Sequence, residues 1–391
     1  MLSWVLKAFI LLTLPLASFA SGSGGGSNSC FYFYRPKIYT DKTTYGLQAF
    51  KLNIDRLKVH FQKTKSMTDD EKVNLLLTSD ARVVFFRLQS LAKIYEKAYE
   101  RKFFTKQRGF FKKYEDLIGR VDLYQGLIGV STKLKQPRLI KYFENKKSEA
   151  ATNLLNGLIE ARLARDPNDP TSNVDPVDTL NEVYEHLAKF EDWKSAEKDL
   201  EMNLKNIVSY ARSLLTKIKA REFTQDDIEL GLHDLRRGLR WPLIHIQTLN
   251  RLTAYDVRSD LPKDVQSYFE SMQARNPKIL KSGFLSMKAP DIKHPMRVPL
   301  YPYAMLTDIV AEIGTKKDGA ESDIYITQAM QELGFAQRTQ AKVQKDLLKM
   351  TNRTEIVDHK SLAEQYQADI DASGLLEYFA NQLEKLNDID N

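Results

Sequence analysis

The sequence has one cysteine in 391 residues, Cys30, so an internal disulfide bond is impossible. It also lacks the HExxH, GxSxG and GxxxxGK[ST] motifs of metalloproteases, serine hydrolases and phosphate-loop enzymes. The histidines show no close pair that would suit a metal ion; they are His60, His186, His233, His245, His294 and His359. We therefore predict a protein that is not an enzyme, with no catalytic residues, no metal and no cofactor.

Long apolar runs are absent after Cys30, since no later segment approaches 18 uninterrupted apolar residues. We expect no transmembrane span. The shorter run from Ala8 to Leu16 follows Lys7 and precedes Ser18-Phe19-Ala20, a small-x-small cleavage site. This arrangement is typical of a secretory signal peptide covering residues 1–20. A retained N-terminal anchor is the alternative.

Cleavage after Ala20 would leave a Gly/Ser linker, residues 21–30, at the start of an exported protein, periplasmic or secreted. Cys30 ends this linker. A lipid-anchored cysteine usually follows its apolar run directly, with a leucine-like residue three positions earlier, whereas Ser27 stands there. An ordinary cysteine at the edge of the fold and a lipidated one both remain open.

The net charge of +7 conceals two halves of opposite sign. Residues 31–165 hold 28 lysines and arginines and 14 aspartates and glutamates, so this half is positive. Residues 166–391 hold 29 lysines and arginines and 37 aspartates and glutamates, so that half is negative. This division predicts an anionic partner for the first half, or contact between the halves. A solvated basic surface with no specific partner is the third possibility.

Apolar residues recur at helical spacing through most of the chain, and β-branched alternation is scarce. The pattern predicts an all-α protein, with Thr68 to Glu71 as a capping box at one helix start. Residues 166–176 contain three prolines and read as a linker between a first basic helical bundle, 31–165, and a second bundle, 177–391. Predicted helices include Asp69–Lys102, Pro176–Arg221, Thr224–Ala254, Tyr301–Ile313 and Asp323–Gly334.

One predicted helix of the second half carries two neighbouring stripes. Its core stripe consists of Leu232, Leu235, Leu239, Leu243 and Ile246. The adjacent stripe consists of His233, Arg236, Arg240, Gln247 and Arg251. Because the cations repel one another, an anion or carboxylates from a neighbouring helix should lie opposite them. Guanidinium groups suit phosphate, since their planar donors bind two oxygens at once.

The first half carries a weaker version of this pattern. Arg82, Lys93 and Lys97 share a helix face with Gln89, and Arg87 lies outside that group. A dense basic stretch follows, interleaved with Phe103, Phe104, Phe110 and Phe111. Aromatics among cations can stack on nucleic-acid bases, but helical spacing favours a core role for these four rings.

The segment Leu232-His233-Asp234-Leu235-Arg236-Arg237-Gly238-Leu239-Arg240 resembles the signature helix of the conserved-histidine α-helical domain, or CHAD, family. That signature has a histidine followed by arginines three and seven positions later. Arg82 and Arg87 fit the corresponding motif of a first repeat, and Tyr114 to Asp122 resembles the family's Leu-Gly-x-x-Arg-Asp stretch. In this chain Ser79 stands at the first repeat's histidine, and Phe86 at its second arginine. Trp241 and Pro242 interrupt a usually basic run in the second.

The resemblance implies two repeated helical bundles in a pseudo-two-fold arrangement, facing each other across a basic channel that binds inorganic polyphosphate. It implies a non-catalytic module of the cell envelope that binds polyphosphate or another polyanion. The expected anion-binding residues are His233, Arg236, Arg237, Arg240, Arg82, Arg87, Lys93 and Lys97. The alternatives are a helical scaffold with a protein partner and no small ligand, and an unrecognised phosphate-ester or cell-wall enzyme.

Overall fold

The computed structural model describes residues 44–387 apart from 100, 167, 170–173, 226–228, 250, 259, 282–284, 286–289, 291 and 352–357. The predicted signal peptide, residues 1–20, and the linker that ends at Cys30 lie outside this range. Thirteen α-helices dominate the described residues, so the all-α class is confirmed. The pseudo-two-fold relation between two repeated bundles stays a prediction.

Six helices precede residue 189 and seven follow it. The first six are α1 (Tyr45–Thr64), α2 (Asp69–Thr78), α3 (Ala81–Tyr99), α4 (Lys102–Lys133), α5 (Pro137–Glu160) and α6 (Pro176–Ala188). The others are α7 (Ala196–Lys219), α8 (Asp234–Thr248), α9 (Lys263–Arg275), α10 (Leu300–Glu332), α11 (Gln337–Met350), α12 (His359–Ala372) and α13 (Leu375–Lys385). A π-helical turn, Glu229–His233, leads into α8, and a 3-10 turn, Ile279–Lys281, follows α9.

Two short parallel strands, β1 (Thr253–Asp256) and β2 (Met296–Pro299), correct the prediction of a helix through Ala254. Helix α8 ends at Thr248, and Arg251, three residues later, has a left-handed backbone, φ 73°, that no helix continues. Arg251 therefore does not share a helix face with Arg236 and Arg240, although the sequence had predicted that it would.

Other predicted boundaries shift for local reasons. Ser79 is extended, with ψ at 178°, and divides the predicted helix Asp69–Lys102 into α2 and α3. The polar stretch after Ile313 does not interrupt α10. There Lys316 pairs with Glu312 at 3.0 Å and Lys317 with Glu321 at 2.6 Å, both one turn apart, which suits a helix surface. The capping box at Thr68 is confirmed, since its hydroxyl accepts from the Glu71 N–H.

The first hydrophobic core joins α1 to α6 and includes the aromatic residues of the basic stretch. Phe104 and Phe111 are fully buried, and Phe103 and Phe110 pack against the same core. The core role favoured for these four rings is confirmed. Burying an aromatic ring removes about 150–250 Å² from water, which makes these rings major contributors to the first core.

The second core is built by α7 to α10, α12, α13 and the two strands. It takes in the predicted apolar stripe of α8, all of which is buried: Leu232, Leu235, Leu239, Leu243 and Ile246. A third core joins the far ends of the two longest helices, α4 and α10, where Leu127 and Phe143 pack with Ile326 and Val343. Each long helix therefore extends from its own core into a shared one.

Helix α6 lies within the range predicted for the second bundle but packs in the first core through Leu180 and Leu187. The proline-containing segment therefore does not separate the two cores. The chain passes from the first core to the second between α6 and α7, which begins at Ala196.

A buried carboxylate joins α7 to the first half. Asp199 Oδ2 accepts from the Gly46 N–H at 2.7 Å and from the Tyr95 hydroxyl at 3.1 Å. Helix α1 has no side-chain N-cap at Thr44, so Asp199 supplies an acceptor at its positive end. Gly46 is required here, because a Cβ atom would lie 2.1 Å from the Tyr95 hydroxyl. Burial raises the pKa of Asp199 to about 6, against the hydrogen bonds from Tyr95 and Gly46, which lower it.

This raised pKa gives the first prediction. Because protonation favours the folded state, the contribution of Asp199 to stability is complete below pH 4 and is lost as pH rises through about 6. The difference in unfolding free energy between the parent and Asp199→Asn should fall by about 3 kcal/mol across this window. Urea unfolding of both proteins from pH 4 to 7 measures it. A difference that stays constant with pH would contradict the account.

Candidate functional site

The two motif-like helices, α3 and α8, touch each other directly. Phe86 of α3 stacks on Trp241 of α8 with ring centroids 5.2 Å apart and planes inclined by 16°. Ile244 and the partly buried Tyr210 of α7 complete this small apolar cluster. Two aromatic side chains therefore occupy the point where the motif helices meet, and the basic channel between the two bundles stays a prediction.

Each ring of the stack also carries a cation from the opposite helix. The Arg240 guanidinium of α8 lies 4.2 Å from the Phe86 ring, and the Lys93 ammonium of α3 lies 3.8 Å from the Trp241 ring. A second ring, Tyr210, is 4.7 Å from the same ammonium. Cations over aromatic faces are attracted by about 0.5–2 kcal/mol. Each helix therefore places a cation over an aromatic ring of the other.

On one side of the stack lies an arginine cluster made of Arg82, Arg236 and Arg240. Arg82 donates from Nε to Glu115 and from Nη1 to Asp122, both at 3.0 Å. The two carboxylates belong to the α4 stretch Tyr114–Asp122 that carried part of the family resemblance. Gly119 lies directly beneath Arg82, where a Cβ atom would come within 2.6 Å of the guanidinium.

The other two members of the arginine cluster are desolvated. Arg236 is buried and donates from Nε to the carbonyl of Val310 at 3.2 Å. Burial lowers its pKa, while Asp318 and Glu321 of α10 act in the opposite direction. Burial, with Arg236 nearby, also lowers the pKa of Arg240 to about 9, so the group stays charged at neutral pH. Carboxylates and a carbonyl of the same chain thus surround this cluster.

On the other side of the stack lies a lysine cluster of four cations: Lys93, Lys97, Arg108 and Arg237. Lys97 donates to the Ser209 hydroxyl at 2.9 Å, and Arg237 donates to Asp234 at 2.9 Å. Arg108 pairs with Glu96 at 2.6 Å. Within the described part of the chain no carboxylate lies within ion-pair distance of Lys93. Among the described residues, the lysine cluster thus has four basic side chains against two acidic ones, Glu96 and Asp234.

Lys93 is the most perturbed group of this cluster. Burial lowers its pKa to about 7, assisted by the positive charges of Arg108 and Arg237. The two ring faces favour the ammonium, but an attraction of at most about 2 kcal/mol corresponds to roughly 1.5 in pKa. Desolvation and like charge outweigh it, so a substantial fraction of Lys93 is neutral near pH 7.

His245 lies beneath the same cluster. Its side chain is 3% exposed, and its ring centroid is 5.7 Å from that of Trp241. Burial lowers its pKa to about 3, with Lys93 and Lys97 adding to the effect. A histidine this far from protonation adds no charge to the cluster at neutral pH.

Two of the predicted residues, His233 and Arg87, belong to neither cluster. His233 ends the π-helical turn before α8, with its Nε2 3.5 Å from Arg237. Arg87 faces α1 and α10, near Arg56 and Tyr303, and burial lowers its pKa to about 10. The eight predicted residues thus fall into an arginine cluster, a lysine cluster with His233 beside it, and an isolated arginine.

Two residues of the site were not predicted. Arg108 belongs to the dense basic stretch, so its charge was visible in the sequence, but nothing indicated that it would lie near Lys93. Tyr210 is on α7, more than 100 residues from Lys93, and carries no local signal. Both depend on how the helices pack, which the periodicity of a single helix does not specify.

Within the described residues, none of the helices has the length and apolar content needed to cross a membrane. The same residues hold no group of three histidine, cysteine, aspartate or glutamate side chains that could bind a metal ion. The chain matches no family model, no curated protein and no solved structure. The resemblance to the CHAD family therefore stays a prediction that depends on the motif residues.

The stack gives the second prediction. Trp241→Ala should lower the unfolding free energy by about 3 kcal/mol, since it removes a buried ring that contacts Phe86, Lys93 and His245. Trp241→Phe keeps a ring in place and should cost about half as much or less. Urea denaturation of both variants measures the difference. Equal stability of the alanine variant and the parent would show that the helices do not depend on this contact.

Proposed function

We propose that this protein is a non-catalytic module that binds an extended polyanion, such as inorganic polyphosphate, at the lysine cluster. One observation carries the proposal: cations from α3, α4 and α8 converge around Lys93, which has no carboxylate partner among the described residues. Phosphate oxygens would supply the negative charge that the cluster lacks. Guanidinium groups from Arg108 and Arg237 suit such oxygens because their planar donors bind two at once.

The existing ion pairs of the cluster are compatible with ligand exchange. Arg237 and Asp234 form an exposed pair on the surface of α8, with side chains 50% and 36% exposed. Such pairs contribute roughly 0–1 kcal/mol, whereas a charge-assisted hydrogen bond is worth about 1.5–3 kcal/mol. A polyanion can therefore compete for Arg237 with the carboxylate that now holds it.

The arginine cluster has a different place in this proposal. Arg82, Arg236 and Arg240 already contact Glu115, Asp122, the Val310 carbonyl and the Phe86 ring. Arg236 is buried, and the Glu115 side chain that pairs with Arg82 is 14% exposed. Drawing Arg82 away from Glu115 would leave a largely buried carboxylate without its cation, which costs several kcal/mol. We assign this cluster to holding α3, α4, α8 and α10 together, and the binding role to Lys93, Lys97 and Arg237, with His233 beside them.

The partnered arginines also support a second candidate function, a helical scaffold that binds a protein and no small ligand. Under that function the lysine cluster would face acidic side chains of a partner. The proposed location, periplasmic or secreted, is the same for both functions and depends on the signal sequence predicted at residues 1–20.

Binding of polyphosphate separates the two functions. The double variant Lys97→Ala/Arg237→Ala should weaken binding about 10–100-fold, because two charge-assisted contacts at a partly exposed surface are lost. The slope of log affinity against log salt should also decrease, since fewer counterions are released. Isothermal titration calorimetry at several salt concentrations measures both quantities.

The matched control is Lys146→Ala/Arg162→Ala. It removes the same charge from exposed ion pairs with Glu149 and Glu182, on α5 and the segment that follows it, neither of which supplies a residue to the cluster. This control should bind like the parent. If the parent shows no salt-dependent affinity for polyphosphate, or if both double variants lose affinity equally, the lysine cluster is not the binding site.

A further inference from the structure

The amine of Lys93 has surroundings that differ from those of an ordinary surface lysine. Its nitrogen lies 3.8 Å from the centroid of Trp241 and 4.7 Å from that of Tyr210, so aromatic carbon covers much of it. Arg108, Arg237 and Lys97 are the charged groups of like sign that act on it. Desolvation by rings and crowding by cations shift an amine toward its neutral, nucleophilic form.

Among the described residues, Glu96 is the negative side chain that acts on this amine, and it is already engaged. Its Oε2 forms an ion pair with Arg108 at 2.6 Å, and its Oε1 accepts from the Thr105 hydroxyl at 2.9 Å. It therefore does little to hold a proton on Lys93, whose pKa burial lowers to about 7. An exposed lysine such as Lys205, paired with Glu201, has a raised pKa instead.

From this geometry we propose that Lys93 is a covalent site that captures an anionic aldehyde as an imine. The nitrogen lone pair attacks the carbonyl carbon, forming a C–N bond, and the carbonyl oxygen takes up a proton. The resulting carbinolamine then loses its hydroxyl group and a nitrogen proton as water, leaving the C=N bond. No oxidant or reductant is needed, and the reaction is reversible by hydrolysis.

The cations around Lys93 determine the class of aldehyde. Lys97, Arg108 and Arg237 surround the amine and suit a phosphate or carboxylate on the incoming compound, so this inference depends on the anion site of the proposed function. The ring faces of Trp241 and Tyr210 suit a flat, unsaturated aldehyde. A small aromatic aldehyde with a phosphate group fits both requirements.

Pyridoxal 5′-phosphate is a suitable probe, followed by borohydride to fix the imine and by peptide mass spectrometry. At pH 7 Lys93 should be labelled at least about tenfold faster than Lys205, because far more of its amine is neutral. Its initial labelling rate should fall about fivefold from pH 7 to pH 6 as the amine gains a proton. Labelling of Lys93 no faster than that of Lys205 would overturn the inference.

Three comparisons separate this inference from the proposed function. Lys93→Arg has no nucleophilic amine at this position, so it should show no adduct there while Lys205 is labelled as in the parent. Pyridoxal without the phosphate should label Lys93 at least about tenfold more slowly; equal labelling would overturn the choice of an anionic aldehyde. If polyphosphate binds normally but no aldehyde labels Lys93, the covalent site alone is refuted.

Discussion

The contact between Phe86 and Trp241 is the constraint on which the arrangement of charge depends. It brings α3 and α8 together and gives each helix a ring on which the other places a cation. These two residues also depart from the motif that the sequence resembles, in which an arginine stands at the position of Phe86 and a basic run continues through that of Trp241. Two cationic helices repel each other at close range, whereas helices that exchange rings and cations can pack without a ligand between them.

The cations that the sequence analysis assigned to one anion site lie in two separate groups, one on each side of this contact. Arg82, Arg236 and Arg240 lie on the side occupied by α4 and α10, where Glu115, Asp122 and Asp318 offset their charge. Lys93, Lys97 and Arg237 lie on the other side, where Glu96 and Asp234 are outnumbered. The desolvation penalty of the buried charges at Arg236 and Arg240 supports the structural role proposed for the first group. The excess of basic over acidic side chains among the described residues of the second group supports the proposed polyanion site.

Helical periodicity was sufficient for what a single helix determines. It predicted the all-α class, the buried stripe of α8 and the core position of Phe104 and Phe111. It did not predict the strand at Thr253, which follows the left-handed Arg251, its partner at Met296, or the place of α6 in the first core. The stripe containing Arg236 was predicted as cationic, but its ion partners lie on α4 and α10. Partners from distant segments, like Tyr210 and Asp199, are fixed by packing alone.

The central claim is that the two clusters differ in what their cations bind, and arginine footprinting tests it most directly. Phenylglyoxal modification is followed residue by residue, with and without inorganic polyphosphate. We predict that polyphosphate slows the modification of Arg237 and Arg108 by at least about fivefold and leaves that of Arg82 unchanged, since Glu115 and Asp122 hold it in both states. Protection of Arg82 without protection of Arg237 would contradict the account.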